Sequence, residues 1–221
     1  MKEENLYTEK RIRLVESLKL ELNLSKKVAE ALKKVPRHIF VPRQYRYEAY
    51  IDTPLPIGKG QTISAPHMVA IMCELLELEK GEKVLEVGGG SGYHAAVVAE
   101  IVGDEGKVVA IERIPELAEK AQKTLKKLGY KNIKIVIGDG SKGYPEEAPY
   151  DKIYVTASAP DVPRPLLDQL KVGGKMVIPI GKFIQYLCVV EKKKDKIEKK
   201  RWGAVRFVPL IGEYGFKNYF E

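Results

Sequence analysis

The glycine-rich segment VLEVGGGSGYHAA, residues 84–96, restricts the fold of this 221-residue chain more than any other stretch. An apolar run ends at Gly88, further glycines stand at 89, 90 and 92, and an apolar helical pattern follows at once. Glycines at such a turn let the backbone approach a ligand closely, and the start of the next helix offers free N–H groups. We therefore predict a buried strand, a ligand-binding turn and a helix.

Strand and helix patterns alternate from this turn onwards. Predicted strands cover residues 83–88, 107–112, 133–139, 151–157 and 174–180, with helical patterns between them. This alternation predicts an α/β fold with a doubly wound, mostly parallel, Rossmann-like sheet that carries helices on both faces. Ligands of such sheets bind beyond the carboxyl ends of the strands, where the strand order reverses.

The length of the chain is typical of a single domain with additions. We predict a cap of N-terminal helices and loop over residues 1–60, a ligand-binding core over 61–182, and C-terminal strands and a tail over 183–221. Within the cap, residues 4–35 have the apolar spacing of two helices. Residues 36–60 are aromatic and interrupted by prolines, so we expect an ordered but irregular loop.

A late pair of strands is predicted after the core. The segments YLCVVEKK, residues 186–193, and GAVRFVPLI, residues 203–211, have the composition of antiparallel strands. The charged run EKKKDKIEKKR, residues 191–201, lies between them, and its mixed signs are typical of a solvated loop.

The composition excludes several classes of protein. Hydrophobic residues make up 44% and charged residues 31%, which is typical of a soluble globular chain. We find no secretory signal and no apolar run near the ~18 residues that suggest a membrane span. Cys73 and Cys188 are too few for a disulfide framework or a zinc site. We expect a cytoplasmic monomer without a metal, and the abundance of Lys, Glu, Ile and Val is typical of proteins from hot environments.

The glycine spacing and one carboxylate indicate the class of ligand. A dinucleotide fingerprint that begins at Gly88 would need a sixth-position glycine where this chain has Tyr93. The spacing G-x-G-x-G instead favours a nucleoside without a pyrophosphate. Glu112 follows twenty residues after Gly92, at a predicted strand end, where an acid can accept hydrogen bonds from both ribose hydroxyls.

Two further acids favour a positively charged nucleoside. Asp139 can accept from an adenine amino group, or it can be a turn residue of its Asp-Gly pair. Glu86 lies in an apolar strand, where burial is costly unless a cation pairs with it. S-adenosyl-L-methionine is such a nucleoside, and its product after methyl transfer is S-adenosyl-L-homocysteine. The glycine turn, the later acid and the strand pattern together resemble the class I methyltransferases.

Further blocks resemble one family within that class. The segments VPRHIFVP, TISAPHM, GDGSKGYPEEAPYDKIYVTASAP and VRFVPL follow one another between residues 35 and 210. In this order they resemble the protein-L-isoaspartate O-methyltransferases. TISAPHM, residues 62–68, is the most diagnostic block, because methyltransferases in general lack it. The chain departs from the family at Gly89, where serine is usual.

The resemblance implies roles for individual residues. It implies that the Ser64 hydroxyl grips one oxygen of the acceptor carboxylate, although serine shortly before a proline also marks a helix N-cap. The implied cofactor-binding residues are Glu86, Gly88, Gly90, Ser91, Gly92, Glu112, Arg113, Asp139 and Gly140. The implied substrate-binding residues are Thr62, Ile63, Pro66, His67 and Val208. His67 can equally be a capping or packing residue.

The resemblance also implies an activity. It implies methylation of the free carboxylate of L-isoaspartyl residues in damaged proteins and peptides, which initiates repair through a succinimide. A carboxylate with a pKa of roughly 4 is ionised at neutral pH, so the displacement needs no general base.

The net charge of +8 leaves two alternatives open. One is a different class I methyltransferase that acts on RNA or a small molecule, and the other is a non-catalytic nucleic-acid-binding module. Residues 156–160, TASAP, lack the Asp/Asn-Pro-Pro-aromatic motif of amino-directed nucleic-acid methyltransferases. We therefore do not expect nucleic acid as the partner.

Overall fold

The computed structural model describes residues 2–218. Two helices open the chain, α1 (Lys2–Leu22) and α2 (Lys26–Lys34), which confirms the helices predicted over residues 4–35. Helix α2 begins after Ser25, whose hydroxyl accepts a hydrogen bond from the backbone N–H of Val28 at 3.4 Å. This side chain therefore caps the free donors of the first turn.

The segment between α2 and the core is ordered, as predicted, but it is more regular than expected. It contains two short 3₁₀ helices, Arg37–Ile39 and Arg43–Glu48. A hairpin then pairs β1 (Leu55–Gly58) with β2 (Gln61–Ile63). Strand β1 could not be predicted because proline normally argues against a strand. Proline is accepted here because β1 is an edge strand. The predicted division at residue 60 falls in the turn of this hairpin, and the three-part division itself stays a prediction.

The remaining helices and strands follow the predicted alternation. In chain order they are α3 (Pro66–Leu76), β3 (Lys83–Val87), α4 (Tyr93–Val102), β4 (Lys107–Glu112), α5 (Pro115–Lys127), β5 (Ile133–Ile137), β6 (Tyr150–Val155), α6 (Arg164–Gln169), β7 (Leu170–Ile180), β8 (Gln185–Lys192) and β9 (Ile197–Val205).

Seven of these strands form one sheet in the order β5-β4-β3-β6-β7-β8-β9. The pairs from β5 to β7 are parallel, and β7-β8 and β8-β9 are antiparallel. The predicted α/β, mostly parallel sheet with a late antiparallel pair is confirmed. Strand order reverses beside β3, since β4 lies on one side of it and β6 on the other. The carboxyl ends of these three strands are thus the expected place for a ligand.

The central strands of the sheet are buried on both faces, and their successive residues point to opposite faces. Val84 and Val108 belong to a core shared with α2 to α5, whereas their neighbours Leu85 and Val109 belong to a second core with Leu166 of α6. The near-continuous apolar strands are the usual pattern of a parallel sheet covered on both sides.

The charged run at residues 191–201 is not the loop that we predicted. Most of it forms the ends of β8 and β9, and only residues 193–196 connect them. The second late strand also begins earlier than predicted, at Ile197, and ends at Val205. Polar side chains on an exposed edge strand lack the hydrophobic alternation from which strands are recognised. Residues 206–211 instead run past the end of β6, where Pro209 bridges to Ser158.

No helix within residues 2–218 has the length and apolar character needed to cross a membrane. Cys73 and Cys188 are both buried and unpaired with each other, as expected for small apolar side chains.

Candidate active site

The glycine turn after β3 is fixed between two strands. The N–H groups of Gly88 and Gly89 both donate to the Ile111 carbonyl of β4 at 2.9 Å. From the other side, the Thr156 hydroxyl donates to the Gly88 carbonyl at 2.6 Å. Gly88 has φ +93°, and a side chain there would overlap the Thr156 hydroxyl. Glycine is required because the turn needs both a left-handed φ and this close approach.

Gly92 has a different task in the same turn. It precedes α4 with φ +82°, and a Cβ atom on it would lie 3.0 Å from Leu125 Cδ1 and 3.3 Å from Ala121 Cβ on α5. Its small size therefore lets α4 and α5 pack closely. Gly92 lines neither of the two pockets at these strand ends, so its predicted contact with the cofactor stays a prediction.

Glu112 ends β4 and is 7% exposed. One carboxylate oxygen accepts from the Gly90 N–H and the other from the Ile114 N–H, both at 2.8 Å. A carboxylate has about four lone-pair sites, so each oxygen retains capacity for one hydroxyl. The side chain thus holds the glycine turn and still offers two acceptors at the lip of a pocket.

Glu86 lies below the glycine turn and is 1% exposed. Burial raises its pKa well above the usual value, the nearby Tyr154 hydroxyl opposes this shift, and the Glu112 charge adds a smaller upward contribution. Among residues 2–218, its Oε2 atom has no hydrogen-bond partner. A buried carboxyl oxygen without a partner is costly, so this atom favours a ligand that brings a donor or a positive charge.

Three more polar side chains surround Glu86. Tyr154 is its register partner on β6, and the Tyr154 ring lies 4.4 Å from the His94 ring of α4. Cys73 of α3 contacts His94 Nε2 at 3.5 Å. Burial lowers the pKa of His94 to about 3, so the imidazole is neutral at physiological pH. Within the described part of the chain, the Tyr154 hydroxyl and His94 Nδ1 also lack partners.

Two pockets open at these strand ends, and Thr62, Gly88, Gly90 and Thr156 line both of them. The first extends over the end of β4 towards residues 208–211, and the second extends below β2 towards Glu86. The predicted site residues that line one pocket or the other are Thr62, Ile63, Ser64, Glu86, Gly88, Gly90, Ser91, Glu112, Arg113, Gly140 and Val208.

Ser64 lines the second pocket and is partly exposed. Its hydroxyl has no hydrogen-bond partner among residues 2–218, whereas Ala65 is the N-cap residue of α3. The alternative interpretation of Ser64 as a helix cap is therefore wrong. Pro66 occupies the first turn of α3, and the His67 side chain contacts Asp52. Neither residue lines the two pockets, so their predicted contacts with the substrate stay predictions.

The Asp139 carboxylate is already hydrogen-bonded to other residues of the chain. Its carboxylate accepts from the N–H and hydroxyl of Ser141, at 2.9 and 2.6 Å, and from the Glu213 N–H at 2.8 Å. Burial would raise its pKa, but these donors hold the pKa of Asp139 below the usual value. The neighbouring Gly140 lines the first pocket, so this turn reaches the site through its backbone. A contact between Asp139 and adenine stays a prediction.

The sequence reasoning missed several polar residues of the site. Thr156 stands at the carboxyl end of β6, the position from which such sheets present ligand contacts, and this signal could have identified it. Tyr154 and His94 lie inside a strand and a helix that read as apolar. Their meeting with Glu86 depends on the packing of α4 on the sheet. Among the described residues, no cluster of three or more His, Cys, Asp or Glu could hold a metal.

The sheet order, the glycine turn beside Glu112 and the two joined pockets are those of a class I S-adenosylmethionine-dependent methyltransferase. A family model described as protein-L-isoaspartate(D-aspartate) O-methyltransferase matches residues 9–215. The chain belongs to this family.

Individual relatives agree with this assignment. The chain is 68% identical to protein-L-isoaspartate O-methyltransferase 2 of Archaeoglobus fulgidus, over 96% of this chain and 97% of the relative. It is 60% identical to the protein-L-isoaspartate O-methyltransferase of Methanopyrus kandleri, over 98% and 97% of the two chains.

Solved structures give the same result. A protein-L-isoaspartate O-methyltransferase structure matches 93% of this chain and 67% of its own with a TM-score of 0.86 and 35% identity. A second structure, from Plasmodium falciparum, is described as a putative protein-L-isoaspartate O-methyltransferase in complex with S-adenosyl-L-homocysteine. It matches 91% of this chain and 98% of its own with a TM-score of 0.81 and 31% identity.

Proposed function

We propose that this protein transfers a methyl group from S-adenosyl-L-methionine to the free carboxylate of L-isoaspartyl residues in proteins and peptides. The observation that carries the proposal is the free Ser64 hydroxyl in the same pocket as Glu86, which shares Gly88 and Gly90 with the pocket of Glu112. Membership of the family over residues 9–215 supports the choice of acceptor.

The residues of the two joined pockets suit the donor. Glu86 offers an unpaired, buried oxygen to a cation, and Glu112 offers two acceptors to a pair of hydroxyls. The glycine turn lets the backbone approach closely. When bound, S-adenosyl-L-methionine supplies a methyl group on a positively charged sulfur, which is an excellent leaving group. The protein then contributes by orienting the acceptor carboxylate towards the methyl group and by excluding other directions of approach.

The acceptor needs to be aimed and does not need to be activated. An isoaspartyl carboxylate with a pKa of roughly 4 is already the nucleophile at neutral pH. The Ser64 hydroxyl can donate a hydrogen bond to one carboxylate oxygen. The other oxygen is then free to attack the methyl group. Thr62 lines both pockets, Ile63 lines the second beside Ser64, and Val208 lines the first; we assign all three to contacts with the peptide.

The product of the proposed reaction is a methyl ester that reacts further without the enzyme. The backbone nitrogen that follows the ester attacks its carbonyl, methanol leaves, and a succinimide forms. Hydrolysis of the succinimide yields normal aspartate in part, so the methylation begins a repair of the damaged chain.

A methyl-transfer assay on two matched peptides tests the proposal. One peptide holds isoaspartate and the other holds aspartate at the same position. We expect methyl ester on the isoaspartyl peptide alone. Equal labelling of both peptides would contradict the proposed acceptor, and methyl transfer to RNA or a small molecule would favour another class I methyltransferase.

A cytoplasmic location and a monomeric state complete the proposal, with isoaspartyl proteins and peptides as partners. Light scattering on the purified protein tests the second point. A mass near 24.9 kDa is expected for the monomer.

A further inference from the structure

Helix α3 begins two residues after Ser64 and has no side-chain cap of its own. Its N-cap residue is Ala65, whose side chain cannot accept a hydrogen bond. The first N–H groups of a helix have no partner within the helix. One of them, the N–H of His67, donates to Asp52 Oδ1 at 2.8 Å. A carboxylate from a different segment thus does what an N-cap side chain usually does.

Asp52 also holds the His67 side chain. The His67 Nδ1 atom lies 3.0 and 2.9 Å from the two Asp52 oxygens. Because an ionised carboxylate only accepts, Nδ1 carries the proton that it donates. The negative charge lies at the positive end of the α3 dipole, which adds to the stability of this contact. His67 is therefore a structural partner of Asp52, in agreement with a reaction that needs no base.

The segment that carries Asp52 is itself anchored beside the glycine turn. Arg37 is 1% exposed and donates to the carbonyl of Thr53 at 3.2 Å. The Arg37 guanidinium lies 5.0 Å from the centre of the Tyr93 ring. Tyr93 begins α4 and lines the same pocket as Ser64. The segment of Asp52 and Thr53 therefore contacts the start of α3 through Asp52 and, through Thr53 and Arg37, reaches the start of α4.

We infer that Asp52 is a positioning residue, which caps α3 from outside and thereby leaves the Ser64 hydroxyl free for the acceptor carboxylate. The inference rests on the proposed function of Ser64. At α2 the N-cap Ser25 uses its own hydroxyl to accept from a free N–H group, whereas at α3 the N-cap is Ala65 and Ser64 stands one residue before it. Because Asp52 accepts from the free N–H of His67, this group does not need the Ser64 hydroxyl as an acceptor. The same contact fixes the direction in which residues 62–65 enter the helix.

A double-mutant cycle with Asp52→Ala and Ser64→Ala tests the inference. We expect Asp52→Ala alone to lower kcat on an isoaspartyl peptide about tenfold, while the Kd for S-adenosyl-L-homocysteine changes less than twofold. In the Ser64→Ala background, the same substitution should change kcat less than twofold, because residues that act through one another are not additive. A full tenfold loss in both backgrounds would overturn the inference.

Two further variants separate positioning from a general loss of stability. Asp52→Asn keeps an oxygen that caps a helix about as well as aspartate does, so kcat should stay within about threefold of the wild type. Ser25→Ala removes the cap of α2, away from both pockets, and should lower stability while kcat is unchanged. A loss of kcat in Ser25→Ala equal to that in Asp52→Ala would contradict a specific role for Asp52.

Amide hydrogen exchange gives a readout that does not depend on activity. Loss of a cap should speed exchange of the His67 N–H about fivefold in Asp52→Ala and leave it unchanged in Asp52→Asn. Unchanged exchange in Asp52→Ala would refute the capping contact. If the wild type fails to methylate the isoaspartyl peptide but the exchange result holds, the proposed function fails while the contact stands.

Discussion

Glu86 shows how one buried side chain can connect ligand binding with protonation. Its carboxyl group faces Tyr154, His94 and Cys73, none of which carries a positive charge, and the Glu112 carboxylate adds repulsion. The raised pKa of Glu86 means that the neutral acid persists to a higher pH in the ligand-free folded protein than in the unfolded chain. A bound ammonium group would favour the anion instead, so binding is expected to release a proton.

This shift predicts how stability depends on pH. At a pH below about 4.3, the usual value for glutamate, Glu86 is protonated in both the folded and the unfolded chain, and its burial carries no ionisation cost. As the pH rises towards the raised folded pKa, the unfolded chain loses its proton first and stability falls. Glu86→Gln should remove this contribution, which urea unfolding of the ligand-free protein between pH 4 and 8 measures. An identical slope in both proteins would count against the raised pKa.

Glu112 supports a second prediction at the same scale. Glu112→Ala should weaken S-adenosyl-L-homocysteine binding by about 1–3 kcal/mol, the range for losing hydrogen bonds to a charged group. Part of the loss would come from the Gly90 N–H, which the carboxylate also holds. Calorimetry measures the affinity, with Glu112→Gln as an intermediate control that retains one carbonyl acceptor. Equal affinity of the alanine variant and the wild type would contradict the ribose role.

At the scale of elements, the contact between α4 and α5 can be tested through its glycine. Gly92→Ala should destabilise the protein by about 1–2 kcal/mol through its left-handed φ and by about 1–3 kcal/mol more through overlap with Leu125. Gly129→Ala, after the last turn of α5, is a matched control. Its φ is +87°, its helix-ending hydrogen bonds are those of a left-handed C-terminal cap, and no atom lies within 4 Å of the added carbon. Equal losses in chemical unfolding would show that the helix contact contributes nothing.

The elements also show how far the sequence predicts the structure. The five parallel strands are predicted to within a few residues, because burial on both faces leaves uninterrupted apolar runs. The hairpin of β1 and β2 is missed because prolines obscure it, and β9 is misplaced because its side chains are polar. In the site, glycines and strand-end acids are visible from their positions. Asp52 and His94 are not, since their partners are distant in sequence and meet only after packing.

At the scale of the whole molecule, ion pairs join segments that are far apart in the chain. Glu147 pairs with Lys107 at 2.5 Å and with Lys134 at 2.9 Å. Lys175 contacts Glu77 at 2.8 Å and Glu191 at 3.5 Å. Single exposed pairs contribute little at 25 °C, but networks gain importance as the desolvation cost falls with temperature.

These networks and the composition predict high thermal stability. We expect a melting temperature above the range of about 45–65 °C that is usual for mesophilic domains. The melting temperature should fall when salt is raised to about 1 M, because screening weakens exposed pairs. Differential scanning calorimetry at low and high salt measures both effects. A transition in the ordinary range would contradict the expectation.

The basic edge strand β9 matters for a protein whose proposed substrates are aged polypeptides. Such chains expose unpaired backbone, and a bare sheet edge would recruit them by strand addition. Lys199, Lys200 and Arg201 are exposed along this edge and oppose that kind of recruitment. We therefore expect the protein to act on partly unfolded substrates without joining their aggregates.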